Sequence, residues 1–493
     1  MNYKYTIKIL LLFIIPVIIS IYLGGCSSGS KGNENIKPLL GRWEGFLQFP
    51  NKNFLLVADI SLDKENNIKV KLSSPQQKAF SVLVDSLEFN KSKISFKVSN
   101  VRAAYEGEFK IDSSEIVGTW RQEKFNVPLI FYREGELGRL NRPQYPFRPY
   151  SYNSDSVTFK NKRDNVVLGG TFTYPKSDGL FPTILLINGM GPQDRDESMY
   201  GHKPFLIISD YLTKKGFAVL RVDDRGTGLS TGDFDHSTTM DFANDAQSAI
   251  NYLKTKDNVD TSKIGIIGFN EGGLIAAMLS VKSDDIKYIV LLATPGIPGR
   301  EILLDQTTIM QKKLGIPEEE ITKDLRLNTS IFNTIEHEND TSLVRKKLKK
   351  IYKSFIASLG EKYAFSKKYN VRNIDKQINF MTKPWFRFYL TYDPAKTFEK
   401  VKCPLLILYG EKDLQIEPEK NNAAIEKALQ KGGNQSFKSM ILPGLNHLFQ
   451  ECKTGSPSEY PEIKQTFSPK AMQIIADWIK GVIESNNNKV AFK

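Results

Sequence analysis

Ile264-Gly-Ile-Ile-Gly-Phe-Asn-Glu-Gly-Gly-Leu-Ile-Ala276 decides the fold. An apolar run of strand character enters a glycine-flanked turn, and a helical stretch leaves it. The spacing is that of a nucleophile elbow, Gly-x-Ser-x-Gly, a sharp strand-to-helix turn that presents its central side chain. Gly268 and Gly272 hold the required places, with Gly273 following. The turn is strained, and side chains at those places would strike the neighbouring strand and helix. The central residue is Asn270, where the motif has serine. Asparagine has no hydroxyl, and its amide nitrogen is a very poor nucleophile. The stretch therefore supports the fold and argues against ordinary serine chemistry.

On either side of the turn, strand-like runs alternate with amphipathic helical ones. Residues 183–188, 218–222, 264–268, 288–293 and 405–409 read as strands, and 205–215, 240–254, 271–280, 419–429 and 469–483 as helices. The alternation predicts a parallel sheet covered on both faces. Between Pro295 and Asp393 the pattern breaks into helical segments with no strand signal. An insertion of that length, about residues 297–393, is expected to be a lid over a site. Its basic stretch, Arg345-Lys-Lys-Leu-Lys-Lys350, reads as a solvated helix face.

Two further side chains follow the elbow. The strand-like run at 405–409 leads into Gly410-Glu-Lys-Asp413. A carboxylate just beyond a strand end can orient an imidazole. Pro443-Gly-Leu-Asn-His447 places a histidine in a loop before the last helix. Elbow, acid and base in this chain order follow the α/β-hydrolase order. A glycine-rich turn, Asn188-Gly-Met-Gly-Pro192, ends the first buried strand. Such a turn can aim backbone N–H groups at a developing oxyanion, and the candidates are those of Met190 and Glu271, with Gly191 an alternative to Met190. Asp223-Asp-Arg-Gly-Thr-Gly-Leu-Ser230 lacks the Gly-Lys-Ser/Thr ending of a phosphate loop and reads as a structural loop beside the site.

These motifs together resemble those of bacterial α/β-hydrolase-fold esterases, a group also described as serine aminopeptidase-like hydrolases. The stretches that carry the resemblance begin at Asn188 (Asn-Gly-Met-Gly-Pro-Gln-Asp-Arg-Asp-Glu), Gly201 (Gly-His-Lys-Pro-Phe), Asp223 (Asp-Asp-Arg-Gly-Thr-Gly-Leu-Ser-Thr-Gly-Asp-Phe), Gly268 (Gly-Phe-Asn-Glu-Gly-Gly-Leu-Ile-Ala) and Leu442 (Leu-Pro-Gly-Leu-Asn-His-Leu-Phe-Gln). The resemblance covers about residues 151–483. It implies an α/β-hydrolase fold, hydrolysis of carboxylic esters or of amides, Asn270 at the nucleophile position, Asp413 as acid and His447 as base. The family's elbow usually reads Gly-His-Ser-Glu-Gly-Gly, so this chain departs at Phe269 and Asn270. Trp385-Phe-Arg-Phe388 resembles the family's substrate-facing segment; ordinary lid packing is the other reading.

Upstream the rhythm is different. Residues 54–62, 68–72, 82–89, 94–98, 105–111 and 129–132 alternate apolar and polar side chains between turn signals. That pattern predicts a small antiparallel barrel or sandwich over residues 40–133, with Trp43 and Trp120 in its core. Pro143, Pro146 and Pro149 mark residues 134–150 as an extended linker to the hydrolase-like domain, 151–484, which a short tail follows. At the start, Lys4 and Lys8 precede an apolar run that ends in Leu23-Gly-Gly-Cys26. The run is shorter than the ~20 residues of a spanning helix. Its charge pattern is that of a secretory signal over residues 1–25, and its end resembles a bacterial lipobox, which implies lipidation of Cys26. The expected place is the bacterial cell envelope: lipid-anchored, the body outside the cytoplasm, on a polar tether of residues 26–39.

Composition narrows the rest. Three cysteines, Cys26, Cys403 and Cys452, cannot form a disulfide framework or a thiolate zinc site, and no two of the four histidines have helix-face ligand spacing, so no metal or cofactor is expected. The formal charge of +13 is spread along the chain without a nucleic-acid-binding motif, so no nucleic acid is expected. The expected partners are a small acyl ester or peptide-like ligand and the membrane. Three functional readings remain: a hydrolase made weak or inactive by Asn270; a binding or sensing module that keeps the pocket without turnover; and an aspartate-type nucleophile produced by deamidation of Asn270. Glu271, rather than glycine, follows Asn270, which does not favour the third.

Overall fold

The computed structural model describes residues 39–49, 52–63, 68–74, 79–90, 92–110, 115–123, 125–133, 142–146, 150–358 and 371–491. The stretch read as a signal, Cys26, nearly all of the expected tether and much of the proline-rich stretch lie outside these. The chain divides into two units, Met1–Tyr145 and Pro146–Lys493.

In the first unit, alternating side chains put one row of each strand on an apolar interior. Nine strands result: β1 (Gly41–Phe49), β2 (Lys52–Leu62), β3 (Ile68–Ser74), β4 (Ala79–Leu83), β5 (Ser86–Asn90), β6 (Lys93–Val98), β7 (Ala103–Lys110), β8 (Glu115–Gln122) and β9 (Phe125–Arg133). They make one sheet in the order β4-β3-β2-β1-β9-β8-β7-β6-β5, antiparallel throughout. Because β1 pairs with β9, the meander curls on itself, with a seam between β4 and β5. Of the two expected arrangements the barrel-like one is found, since a sandwich needs two sheets. The run at 82–89, read as one strand, crosses that seam. Val84 N–H donates to Val70 on β3, and Asp85 N–H to Lys97 on β6, so the chain changes sides within two residues. Strands β1 and β8 extend the set read from sequence.

Trp43 and Trp120 are both buried in this core. Trp43 Nε1 donates to Leu39 O at 2.8 Å. The Tyr105 hydroxyl lies 3.0 Å from Ile116 O and 3.1 Å from Leu129 O. Gly107 and Gly118, paired across β7 and β8, make room for it: a Cβ at Gly118 would stand 2.6 Å from the Tyr105 ring.

The second unit is built on an eight-stranded sheet: β10 (Asn153–Asn161), β11 (Val166–Tyr174), β12 (Phe181–Ile187), β13 (Ala218–Val222), β14 (Val259–Phe269), β15 (Tyr288–Leu292), β16 (Leu405–Gly410) and β17 (Phe437–Leu442). The order is β10-β11-β13-β12-β14-β15-β16-β17. From β13 to β17 the sheet is parallel, as expected for the strands read from sequence, and β10 and β11, which that reading does not include, join it antiparallel, so the complete sheet is mixed. Three strands, β10, β11 and β17, are absent from the set read from sequence, and the first two have a physical reason for weak signals. β10 is largely polar and exposed on the edge. β11 carries Gly169 and Gly170, where a Cβ would come within 2.4 Å of Leu229 Cβ and 2.6 Å of Arg221 O respectively. Glycine inside a strand often marks such close approach, and it erases the apolar pattern. The central strands β15 and β16 are buried at every residue, as parallel strands covered on both faces are.

Helices α1 (Pro204–Lys214), α2 (Thr239–Leu253) and α3 (Glu271–Lys282) connect the first strands. Between β15 and β16 lie α4 (Gly299–Lys313), α5 (Glu318–His337), α6 (Thr341–Ser358), α7 (Val371–Met381), α8 (Pro384–Thr391) and α9 (Pro394–Phe398), with no strand among the described residues. This helical insertion has its own apolar cluster, including Ile331, Leu348, Ile378 and Trp385. Helices α10 (Pro418–Lys431) and α11 (Pro469–Ala491) complete the unit.

Candidate active site

The site forms where β14 turns into α3. Asn270 occupies the turn at φ 48° and ψ −115°, a left-handed backbone region that costs a non-glycine residue on the order of 1–3 kcal/mol. The surrounding structure holds it there. Asn270 N–H donates to Leu292 O on β15 at 2.8 Å, and Gly273 N–H to Asn270 O at 3.0 Å. The glycines answer to sterics, as the sequence requires. A Cβ at Gly268 would meet Gly272 O at 2.2 Å, and one at Gly272 would meet Ile187 O at 2.3 Å and Asn188 O at 2.5 Å. This close approach sets the start of α3 against the end of β12, where the Asn188-Gly189-Met190 turn begins.

Asp413 follows β16, and His447 lies in the loop between β17 and α11. The fold brings both to Asn270, though the histidine is 177 residues away in sequence. Asn270 Nδ2 lies 3.1 Å from His447 Nε2, and His447 Nδ1 lies 2.7 Å from Asp413 Oδ2. Asp413 Oδ1 accepts from the N–H groups of Gln415 and Ile416 at 2.8 and 2.9 Å, which fixes the carboxylate. The assignment follows from donor chemistry: a carboxylate only accepts, so Nδ1 donates to Asp413, and an amide NH2 only donates, so Nε2 accepts from Asn270. The Phe269 ring packs against the imidazole with centroids 5.0 Å apart. All three polar residues are buried. The geometry is that of an acid–imidazole pair aimed at an elbow side chain with no nucleophilic atom.

Met190 and Glu271 stand on the two segments that meet here. Among the described residues, the backbone N–H groups of Met190, Gly191 and Glu271 have no backbone acceptor. The Met190 side chain packs against the apolar cluster of the helical insertion.

Sequence reading used Glu271 only for its N–H. Its side chain is fully buried and bridges three elements: Oε1 accepts from Thr239 Oγ1 on α2 at 2.5 Å and from Trp385 Nε1 on α8 at 2.8 Å. Burial pushes its carboxyl up to about 7, against the pull of those two hydrogen bonds. Two more buried acids, also missed, brace the Asn188 turn. Glu197 accepts from Gly189 N–H at 3.0 Å, and Asp224 accepts from Gln193 N–H at 2.9 Å and Asn188 Nδ2 at 3.0 Å. Burial raises both carboxyls well above the usual range. No local signal marks them, because each is buried by segments distant in the chain. Asn188, Gly189, Asp224, Phe242 and Glu271 line a cavity of about 40 Å³, room for a water.

Trp385 thus reaches the elbow through Glu271, while Phe386 packs inside the insertion. In the loop after β13, Asp223 and Arg225 are ion-paired, while Asp224 meets only neutral donors. Arg195 binds Asp223 through Nε at 2.9 Å, and Arg225 binds Asp245 through Nε at 2.6 Å and Nη2 at 2.9 Å.

The strand order of the second unit, its elbow and the order of its acid and histidine define an α/β-hydrolase-type unit. The chain belongs to the X-Pro dipeptidyl-peptidase (S15) family, whose pattern matches residues 164–444, more than half its length. That sets it among serine-hydrolase-like proteins. It is 25% identical to esterase EstD of Thermotoga maritima over 378 residues, 76% of this chain and 79% of that one. It is 29% identical over 137 residues to the putative hydrolase YtaP of Bacillus subtilis, 24% of this chain and 45% of that one. Among solved structures, esterase Pf2001 of Pyrococcus furiosus is 16% identical with a TM-score of 0.38, covering 67% of this chain and 93% of its own.

Proposed function

We propose that this chain is an envelope lipoprotein of the carboxylic-ester, or amide, hydrolase class that binds its ligand with little or no turnover. The observation that carries the reading is Asn270, at an intact elbow, donating to His447 Nε2 at 3.1 Å. The lone pair that would take a serine proton is occupied by an amide that cannot attack. The pocket class is suggested by the esterase relatives and the peptidase family, which share acyl compounds as substrates. The helical insertion serves as the lid, and the Trp385–Glu271 hydrogen bond supports that role. Lipid on Cys26 would hold the body outside the cytoplasm, with the barrel-like unit as a spacer or docking element.

A second reading, residual hydrolysis by water, is favoured by the retained His447–Asp413 pair at 2.7 Å. Triad enzymes stripped of catalytic members keep on the order of 10³–10⁴ in rate over water. Such turnover would be slow and would form no acyl-enzyme. Deamidation of Asn270 would give an aspartate nucleophile and is read by peptide mass. The deciding experiment is hydrolysis of a short- and medium-chain acyl ester panel by the full chain, by Asn270→Ser and by His447→Ala. Binding without turnover predicts activity in Asn270→Ser alone. Cleavage by the parent that disappears in His447→Ala would replace this reading with the water route.

A further inference from the structure

We infer that the ligand held at this elbow is a primary or secondary carboxamide rather than an ester, because Asn270 Oδ1 requires a hydrogen-bond donor. The inference rests on the binding reading above. The atom assignment comes first. His447 Nδ1 donates to Asp413, and the end of the Asn270 side chain that faces Nε2 is the NH2, which can only donate, so Nε2 accepts. That leaves Oδ1 as a pure acceptor. It is buried, and it has no partner among the described residues.

Buried polar atoms in native proteins are overwhelmingly paired, so an orphan at an elbow marks where a ligand donor belongs. The small cavity beneath the turn does not serve it. A water there would lie among Asn188, Asp224 and Glu271, and Asn270 does not line that space.

The ligand's own chemistry follows from what surrounds the position. Serine at the elbow would face an acyl carbon, and the N–H groups of Met190 and Glu271 are the donors available to its carbonyl oxygen. A fitting ligand therefore carries, on one carbon, an acceptor for those groups and a donor for Asn270 Oδ1. A carboxamide with at least one N–H has both. An ester has only acceptors, and its alkoxy oxygen would meet Oδ1 lone pair against lone pair. Serine both donates and accepts, so this discrimination arises from asparagine at position 270.

The test is calorimetric titration of the full chain with N-methylbutyramide, methyl butyrate and N,N-dimethylbutyramide. The first binds about tenfold more tightly than the other two, the value of one hydrogen bond in a desolvated site. The dimethyl amide keeps the amide carbonyl but puts a methyl group in place of the N–H, whereas the methyl ester lacks the donor without added bulk, so the two together separate the hydrogen bond from sterics. In Asn270→Ser, compared on the two amides because the ester is expected to be cleaved there, the ratio falls to about twofold or less. Equal affinity for all three in the parent overturns the donor requirement and leaves the binding reading standing. Absence of binding by all three overturns both. Turnover of methyl butyrate by the parent overturns the binding reading, and this inference with it.

Discussion

Glu271→Gln removes one pH-dependent contribution to the second unit's stability. The carboxyl is fully buried against Thr239 and Trp385, and its value is raised from 4.5 to about 7, chiefly by burial. A raised carboxyl means that the folded chain holds this proton more tightly than the unfolded one. Its contribution is therefore intact near pH 4.5 and below, and is lost as pH rises to about 7 and beyond. The gap amounts to about 3 kcal/mol. Glutamine keeps an Oε1 for the Thr239 and Trp385 hydrogen bonds and never ionises. Relative to the parent, the variant should gain up to about 3 kcal/mol between pH 4.5 and about 8. Glu197 titrates in both chains and cancels in the difference to first order, while the Glu271 charge helps to raise Asp224, so its removal lowers that carboxyl and adds to the gain in the same direction. The assay is urea unfolding across that range, followed at the helical circular-dichroism band, since the described α-helices all belong to the second unit. A parent–variant difference that stays level across this range would refute the reasoning: Glu271 would then be as well solvated folded as unfolded.

Three other outcomes are expected. Gly272→Ala places a Cβ 2.3 Å from Ile187 O and 2.5 Å from Asn188 O, backbone atoms that cannot step aside, and should cost about 1–3 kcal/mol or more in the same unfolding assay. Trp43→Ala empties the largest fully buried site of the barrel-like unit and removes its hydrogen bond to Leu39; amide exchange in β1 and β9 should speed up by an amount equivalent to about 3–5 kcal/mol. Cys26→Ser should move the chain from the membrane to the soluble fraction of a bacterial host, and unchanged fractionation would count against lipid anchoring.

The elbow is readable in the chain because its cause is local. Backbone atoms of the next turn and the next strand crowd Gly268 and Gly272, and no other residue type fits, so the requirement appears as letters at fixed spacing. The central strands are readable for a similar reason: burial on both faces leaves unbroken apolar runs such as residues 405–409. The same locality hides other elements. β10 is polar because it lies on an edge, and β11 loses its pattern to glycines that admit Leu229 and Arg221. The apolar rhythm of residues 82–89 continues through a point where the hydrogen bonds change sides, because side-chain alternation does not record which neighbour a strand pairs with.

For the site, the chain alone names Asn270, Asp413 and His447 and the absence of a hydroxyl among them. Only the folded structure decides that the Asn270 amide turns its nitrogen to His447 and strands its oxygen, that Glu271 is a buried acid gripping Trp385, and that Glu197 and Asp224 brace the turn beside it. Residue type and backbone sterics are properties of a few neighbouring positions. Burial, the partner of a lone pair and the proton affinity of a carboxyl are set by segments that meet only after the sheet has closed.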